Sequence, residues 1–181
     1  MDELDTSYYA DYFLNKFHAH LDTQISQFFQ YKINDPIIKK LNDVLVTNYQ
    51  FPPIEYFILF NHKRDQPIHI DGIGTIRHAS LNLPLTGQDS NKMIFYKLKK
   101  DSVPIITNAN YYTESDVEYL AEIDGKKRWT LVNSGIPHQV INIDASYPRI
   151  TLCVRFIKNP TLEYLLPKLV RGTGIEPVLT A

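Results

Sequence analysis

Two short groups of residues in the chain have side chains that could bind a metal ion. His69-Ile70-Asp71 places an imidazole and a carboxylate two positions apart. Residues i and i+2 of a β-strand point to the same face, so both side chains would lie on one side of a sheet. His138 begins another predicted strand, far along the chain. Two histidines and one carboxylate can form a facial triad that leaves positions open on iron for a chelating co-substrate and oxygen.

Arg149-Ile150-Thr151 supplies a third group, with ten residues between His138 and Arg149. A guanidinium suits a carboxylate because it can donate two parallel hydrogen bonds to it. Thr151 has the same strand parity as Arg149 and adds a hydroxyl donor. We therefore expect this pair to hold the far carboxylate of a dicarboxylate that chelates the metal at its other end.

The segment His138–Phe156 is predicted to form one hairpin that turns at Asp144–Tyr147. Such a hairpin would pair His138 with Cys153 and place Arg149 on the same face. Arg149 would then lie about 13 Å along the sheet from His138, at ~3.3 Å per residue. An extended arginine and a five-carbon dicarboxylate would fill that distance.

These motifs, in this order and spacing, resemble the signature of the Fe(II)/2-oxoglutarate-dependent oxygenase superfamily: H-x-D, a distal H, and R-x-S/T about ten residues further on. The resemblance spans roughly Ile54–Phe156. It implies a double-stranded β-helix (jelly-roll) barrel, Fe(II), 2-oxoglutarate as co-substrate, O2, and oxidative decarboxylation to succinate and carbon dioxide. The implied metal ligands are also the catalytic residues: His69, Asp71 and His138. The implied 2-oxoglutarate residues are Arg149 and Thr151.

Four further polar side chains are candidates for the same pocket. Asn82 and Tyr96 are predicted to contact 2-oxoglutarate, and Arg155 and Arg77 to bind the primary substrate. Each has a simpler alternative: an outward polar position for Asn82, core packing for Tyr96, an intramolecular ion pair for Arg155 and a solvated loop for Arg77. Arg155 shares the strand parity of Arg149, which favours a position on the same face.

The chain is predicted to be one mainly β domain, with helical support at residues 1–50, a β-barrel core at 54–157, and a short helix and loosely attached tail at 158–181. An apolar, mostly aromatic stripe that repeats every four residues from Tyr9 to Phe29 indicates an early helix. Asp35-Pro36 is typical of a helix start. Nine short apolar runs between turn-rich pieces predict strands: 54–60, 68–70, 79–85, 93–98, 103–107, 117–123, 129–133, 138–143 and 149–157.

The composition limits the kinds of partner and cellular location that the chain can be expected to have. The chain has 181 residues and a formal net charge of −1, so nucleic acid has no electrostatic support as the main partner. One cysteine cannot form an intrachain disulfide, and no apolar run is long enough for a membrane span. We expect a cytoplasmic enzyme that hydroxylates a C–H bond of a small-molecule or amino-acid-like substrate.

Two alternatives use the same barrel. A cupin-like isomerase or cofactor-independent dioxygenase usually draws on an H-x-H pair and a glutamate, and the only H-x-H pair here, His18-Ala19-His20, lies in the predicted first helix. A non-catalytic binding domain would need no intact triad. Metal content and dependence on 2-oxoglutarate discriminate these three possibilities.

Overall fold

The computed structural model describes residues 4–21, 27–31, 34–62, 64–72, 76–86, 91–107, 109–142, 149–169 and 175–177. Within them the helices are α1 (Thr6–Leu21), α2 (Pro36–Tyr49) and α3 (Leu162–Leu165). The strands are β1 (Gln27–Tyr31), β2 (Ile54–His62), β3 (His69–Ile70), β4 (Ala79–Pro84), β5 (Lys92–Leu98), β6 (Ile105–Ile106), β7 (Asn110–Tyr111), β8 (Val117–Asp124), β9 (Trp129–Asn133), β10 (His138–Ile141), β11 (Arg149–Phe156) and β12 (Ile175–Pro177). No helix of this described part is long and apolar enough to cross a membrane.

The strands form two six-stranded sheets. Sheet I has the order β1-β2-β11-β4-β9-β12, and sheet II has the order β6-β7-β3-β10-β5-β8. Neighbouring strands are antiparallel, apart from the parallel pair β12 and β9. The prediction of a mainly β, jelly-roll-type fold is confirmed, although the described strands form two open sheets and no closed barrel.

Strand β11 shows how sheet I separates a packed face from a polar face. Its eight residues are all buried, and aliphatic and polar side chains alternate along most of its length. Ile150, Leu152 and Val154 join the main hydrophobic core with α1, α2 and α3. Arg149 and Thr151 point to the opposite face, where they line a cavity that also draws residues from sheet II. The period-two geometry of a strand therefore directs the polar residues of β11 inward.

Helix α2 begins where the sequence predicts. The Asp35 carboxylate accepts hydrogen bonds from the amides of Ile37 and Ile38, and Pro36 occupies the first turn of α2, which confirms this predicted start. Helix α3 begins after Thr161, whose hydroxyl accepts from the Tyr164 amide.

The prediction of a helical stripe reaching Phe29 is wrong. Helix α1 ends at Leu21, and residues 27–31 form β1, an edge strand of sheet I paired with β2. A four-residue aromatic spacing suits a helix, but backbone pairing with an available sheet edge overrides local preference. Within the predicted tail, the described residues Ile175–Pro177 pair with β9 as strand β12.

The prediction of a single hairpin from His138 to Phe156 is wrong. Strand β10 pairs with β3 and β5 in sheet II, whereas β11 pairs with β2 and β4 in sheet I. The two strands therefore belong to different sheets, and Cys153 pairs with Ile58 instead of His138. The predicted turn at Asp144–Tyr147 lies outside the described residues.

Candidate metal centre

Three potential ligands converge at the two central strands of sheet II, β3 and β10. His69 on β3 and His138 on β10 are direct cross-strand partners, and their ring centroids lie 4.4 Å apart. Asp71 follows β3, and its Oδ1 lies 3.4 Å from His69 Nε2 and 4.0 Å from His138 Nε2. One ligand atom from each residue lies within 4.8 Å of the others. The structure thus brings together the three residues that the sequence proposes as metal ligands.

Backbone carbonyls orient both imidazoles. His69 Nδ1 lies 2.8 Å from the Pro67 carbonyl oxygen, and His138 Nδ1 lies 3.0 Å from that of Ile136. A neutral imidazole with its proton on Nδ1 can donate to such a carbonyl and leave Nε2 as the acceptor. Both Nε2 atoms face Asp71. This is the arrangement that metal-binding histidines commonly show.

The electrostatics favour a neutral His138 and an ionised Asp71. Burial, followed by the charge of His69, lowers the pKa of His138 to about 4. Burial also acts to lower the pKa of His69, but the neighbouring Asp71 raises it above its usual value. For Asp71, burial acts to raise the pKa, and the charge of Arg155 and contacts with both histidines lower it well below the usual range. The carboxylate is available as an anionic ligand at neutral pH.

The centre opens into a cavity between the two sheets. His69, Asp71 and His138 line it together with Asn82, Arg149 and Thr151. Three of these side chains carry a buried polar atom without a hydrogen-bond partner among the described residues: Asn82 Oδ1, Arg149 Nε and Thr151 Oγ1. Unpartnered buried polar atoms are uncommon in native proteins, so three in one cavity indicate a place for a polar ligand.

Arg149 is the strongest polar feature of this cavity wall. Its side chain is buried, with 5% exposure, and none of the described carboxylates forms an ion pair with it. Burial lowers its pKa to about 10, so the guanidinium stays charged at neutral pH. His62, its partner on β2, adds no second positive charge at neutral pH, because burial and the charge of Arg149 lower the pKa of His62 to about 3. A buried cation of this kind favours an anionic ligand.

Arg155 reaches the cavity but does not face it as a free substrate-binding cation. Its Nη2 donates to Asp71 Oδ2, and its Nη1 donates to Ser134 Oγ at 2.6 Å. The predicted role in binding an anionic substrate stays a prediction, and the intramolecular alternative has a described partner in Asp71. The sequence offered no indication of this pairing, since 84 positions separate the two residues.

Two other predicted pocket residues lie elsewhere. Tyr96 is absent from the residues that line the cavity, and its hydroxyl donates to Gln139 Oε1 at 2.8 Å. Its neighbour Phe95 pairs with His138 and is fully buried, whereas Tyr96 is half-buried and follows a register shift in the pairing of β5 with β8. Arg77 forms an ion pair with Glu55 at 3.6 Å and is also outside the cavity. The structure therefore places neither side chain in the cavity that holds the three potential ligands, and their ligand contacts stay predictions.

Some residues of this site were not identified from the sequence. His62 lines the cavity and stacks on Phe60, with ring centroids 5.2 Å apart. Ser134 binds Arg155 and stands four residues before His138. His62 could be identified only from the pairing of β2 with β11, which places it beside Arg149. Ser134 had a local signal, because it lies in the turn that leads to His138.

The donor set fits a first-row transition metal. Two imidazole nitrogens and one carboxylate oxygen suit iron, and related ions such as Ni(II) or Zn(II) can occupy the same ligands. Asn82, Arg149 and Thr151, which line the same cavity, would then face a ligand bound beside the metal. The arrangement can therefore combine metal binding with recognition of an anion.

No protein-family model matches the chain, and neither does any curated protein. A viral collagen prolyl hydroxylase from Paramecium Bursaria Chlorella virus-1, solved as a 2OG complex, is 13% identical, with a TM-score of 0.45 over 87% of this chain and 94% of that chain. A truncated form of that hydroxylase is 12% identical, with a TM-score of 0.42 over 87% and 89%. Vicilin from Corylus avellana (hazelnut) is 11% identical, with a TM-score of 0.40 over 75% and 30%. At these values the similarities carry no argument about activity.

Proposed function

We propose that the protein is an Fe(II)- and 2-oxoglutarate-dependent dioxygenase that hydroxylates a C–H bond of a small-molecule or amino-acid-like substrate. One observation carries the proposal: a two-histidine, one-carboxylate cluster and a buried arginine without an ion-pair partner among the described residues share one cavity. The first feature suits a metal with open coordination positions. The second suits the far carboxylate of a chelating dianion.

His69, Asp71 and His138 would hold the metal through Nε2, Oδ1 and Nε2. When bound, iron(II) would supply oxygen activation coupled to oxidative decarboxylation of 2-oxoglutarate to succinate and carbon dioxide. The backbone carbonyls of Pro67 and Ile136 keep both imidazoles turned toward the metal position. The protein therefore contributes preorganised ligands, and no side chain has to reorient before metal binding.

Arg149 and Thr151 would bind the far carboxylate of 2-oxoglutarate. Both lie on the cavity face of β11, and their buried polar atoms without described partners gain hydrogen bonds when the anion enters. Asn82 lies on the neighbouring strand β4 and offers a further amide contact. The apolar residues Phe60, Met93 and Val140 line the same cavity, and apolar surroundings strengthen charge-assisted hydrogen bonds.

A cupin-like metalloenzyme is the second candidate. Its fold and its metal ligands would be the same, but turnover would not need 2-oxoglutarate. The described residues contain one cluster of three potential ligands and no glutamate within it. This set favours the oxygenase, because three ligands leave room for a chelating co-substrate.

Succinate formation from 2-oxoglutarate tests the proposal. The purified protein would be loaded anaerobically with Fe(II) and exposed to oxygen with a panel of small-molecule and amino-acid substrates. We expect one Fe(II) per chain and succinate formation in wild type, and loss of both in His69→Ala and His138→Ala. His78→Ala is the matched control, because the His78 carbonyl oxygen binds the Ser134 amide beside the site, whereas the His78 side chain is not part of the cluster. Metal binding at wild-type strength in both ligand variants would contradict the assignment, and 2-oxoglutarate-independent turnover would favour the second candidate.

A further inference from the structure

The two carboxylate oxygens of Asp71 have different surroundings. Oδ1 faces the two imidazoles, at 3.4 Å from His69 Nε2 and 4.0 Å from His138 Nε2. Oδ2 accepts a hydrogen bond from Arg155 Nη2 within an ion pair. Only one of the two oxygens is therefore free to meet a metal bound by the histidines.

Arg155 is itself held in place by a second set of contacts. Its side chain is 6% exposed, its Nη1 donates to Ser134 Oγ at 2.6 Å, and the Ala79 carbonyl oxygen lies 3.5 Å from the same nitrogen. A planar guanidinium can reach two acceptors in fixed directions at once. Arg155 uses this property to link Asp71 to the turn between β9 and β10.

The same turn also fixes the backbone around Asp71. The Asp71 amide donates to the Ser134 carbonyl oxygen at 3.2 Å, and the Ser134 amide donates to the His78 carbonyl oxygen at 2.9 Å. Ser134 Oγ also donates to the Arg77 carbonyl oxygen at 2.9 Å. Ser134 thus contacts both the main chain of Asp71 and the arginine that binds its side chain.

We propose that Arg155 is a positioning residue that makes Asp71 a one-oxygen metal ligand. By binding Oδ2, Arg155 holds the carboxylate with Oδ1 directed at the two imidazoles, so the carboxylate is already oriented when a metal binds. This inference rests on the proposed function, because it assumes a metal at the three-residue cluster. Outer contacts of this kind commonly change metal affinity by about 10- to 100-fold.

A simple charge effect predicts the opposite result. A buried guanidinium close to the metal position repels a divalent cation, so its removal would tighten metal binding if charge alone mattered. Positioning requires the geometry of the guanidinium as well as its charge. Lysine preserves the charge but lacks the planar fork that reaches Asp71 and Ser134 together.

Cobalt(II) binding without 2-oxoglutarate tests the proposal, because the visible d–d bands of cobalt report its coordination geometry. Wild type would be compared with Arg155→Met, Arg155→Lys and Ser134→Ala, with folding checked by circular dichroism. Arg77→Met is the matched control, since Arg77 is a nearby arginine whose side chain pairs with Glu55 outside the cavity. All titrations use the full chain freed of metal.

We expect Arg155→Met to weaken cobalt binding about 10- to 100-fold and to shift the d–d bands. Arg155→Lys should regain only part of the affinity, Ser134→Ala should show a smaller loss, and Arg77→Met should match wild type. Unchanged or tighter binding in Arg155→Met overturns the proposal. If that variant does not fold, wild-type affinity and bands in Arg155→Lys overturn it. If wild type itself binds no cobalt, the proposed function fails first.

Discussion

Replacing Arg149 with methionine should stabilise the metal-free protein. Burial lowers the pKa of Arg149 from 12.5 to about 10, and each pKa unit corresponds to about 1.4 kcal/mol. The guanidinium is protonated at pH 7 in both the folded and the unfolded chain, so the folded state carries a penalty of about 3 kcal/mol at neutral pH. Methionine keeps a long apolar side chain without the charge. Replacing buried charges with apolar residues commonly stabilises proteins by about 1–4 kcal/mol.

The same substitution should weaken 2-oxoglutarate binding. Loss of one member of a buried, charge-assisted contact costs about 2–5 kcal/mol, which is roughly 30-fold or more in the dissociation constant. Urea unfolding of the metal-free protein measures the gain in stability. Calorimetric titration of the Mn(II)-loaded protein with 2-oxoglutarate measures the loss of affinity. The melting temperature should rise by roughly 6–12 °C, at about 2–4 °C per kcal/mol for a chain of this size.

Arg155→Met is the matched comparison for stability. Arg155 is buried on the same strand, but it has an ion-pair partner in Asp71. Its loss leaves a carboxylate without its cation, so Arg155→Met should destabilise the protein by about 3–5 kcal/mol. A metal-free Arg149→Met that unfolds at or below the wild-type urea concentration would refute the reasoning from burial. Stabilisation with an unchanged dissociation constant for 2-oxoglutarate would refute the anion-binding role of Arg149.

Three further predictions concern residues around this site and its support. The pKa of His62 is about 3 in the folded chain, so below pH 6.5 the unfolded chain binds more protons than the folded chain, and the free energy of unfolding decreases as the pH falls. In urea unfolding, wild type should therefore lose about 2 kcal/mol more stability than His62→Phe between pH 7 and pH 5. Equal losses would contradict this. A Cβ on Gly135 would lie 3.0 Å from His78 Nδ1 and 3.2 Å from Ile76 Cγ2. Gly135→Ala should therefore lower the free energy of unfolding by about 1–3 kcal/mol and weaken cobalt binding. A variant as stable as wild type would show that the neighbouring residues move aside without cost. Asp35→Ala should cost about 1–2 kcal/mol through loss of the α2 cap and leave cobalt affinity unchanged, whereas Asp35→Asn should retain most of the cap.

Most strand positions could be predicted because alternation and turn residues are local signals. The run Arg149–Ile157 was predicted as a strand, and Arg149–Phe156 forms one. The segment around Phe28 and Phe29 was misassigned because its spacing suits a helix equally well, and only the open edge of β2 makes it a strand. Short segments follow their tertiary partners when local preferences are weak.

Strand partners could not be predicted in the same way. A hairpin between β10 and β11 was the simplest local interpretation, but the chain passes from sheet II to sheet I between them. The wrong hairpin still placed Arg149 in the cavity, because alternation along a strand decides which face a side chain lies on, whichever strand is its neighbour. It did hide His62, which pairs with Arg149 only through β2.

The sequence by itself determined which side chains share a face and which residue types could bind a metal and an anion. Alternation along β11 places Arg149, Thr151 and Arg155 together, because it follows from the stereochemistry of the extended chain. Tertiary structure alone decided how the two arginines differ. Arg155 meets Asp71, whereas Arg149 is buried without an ion pair to any described carboxylate. The reason is that charge pairing depends on which distant segments the sheets bring within a few ångströms.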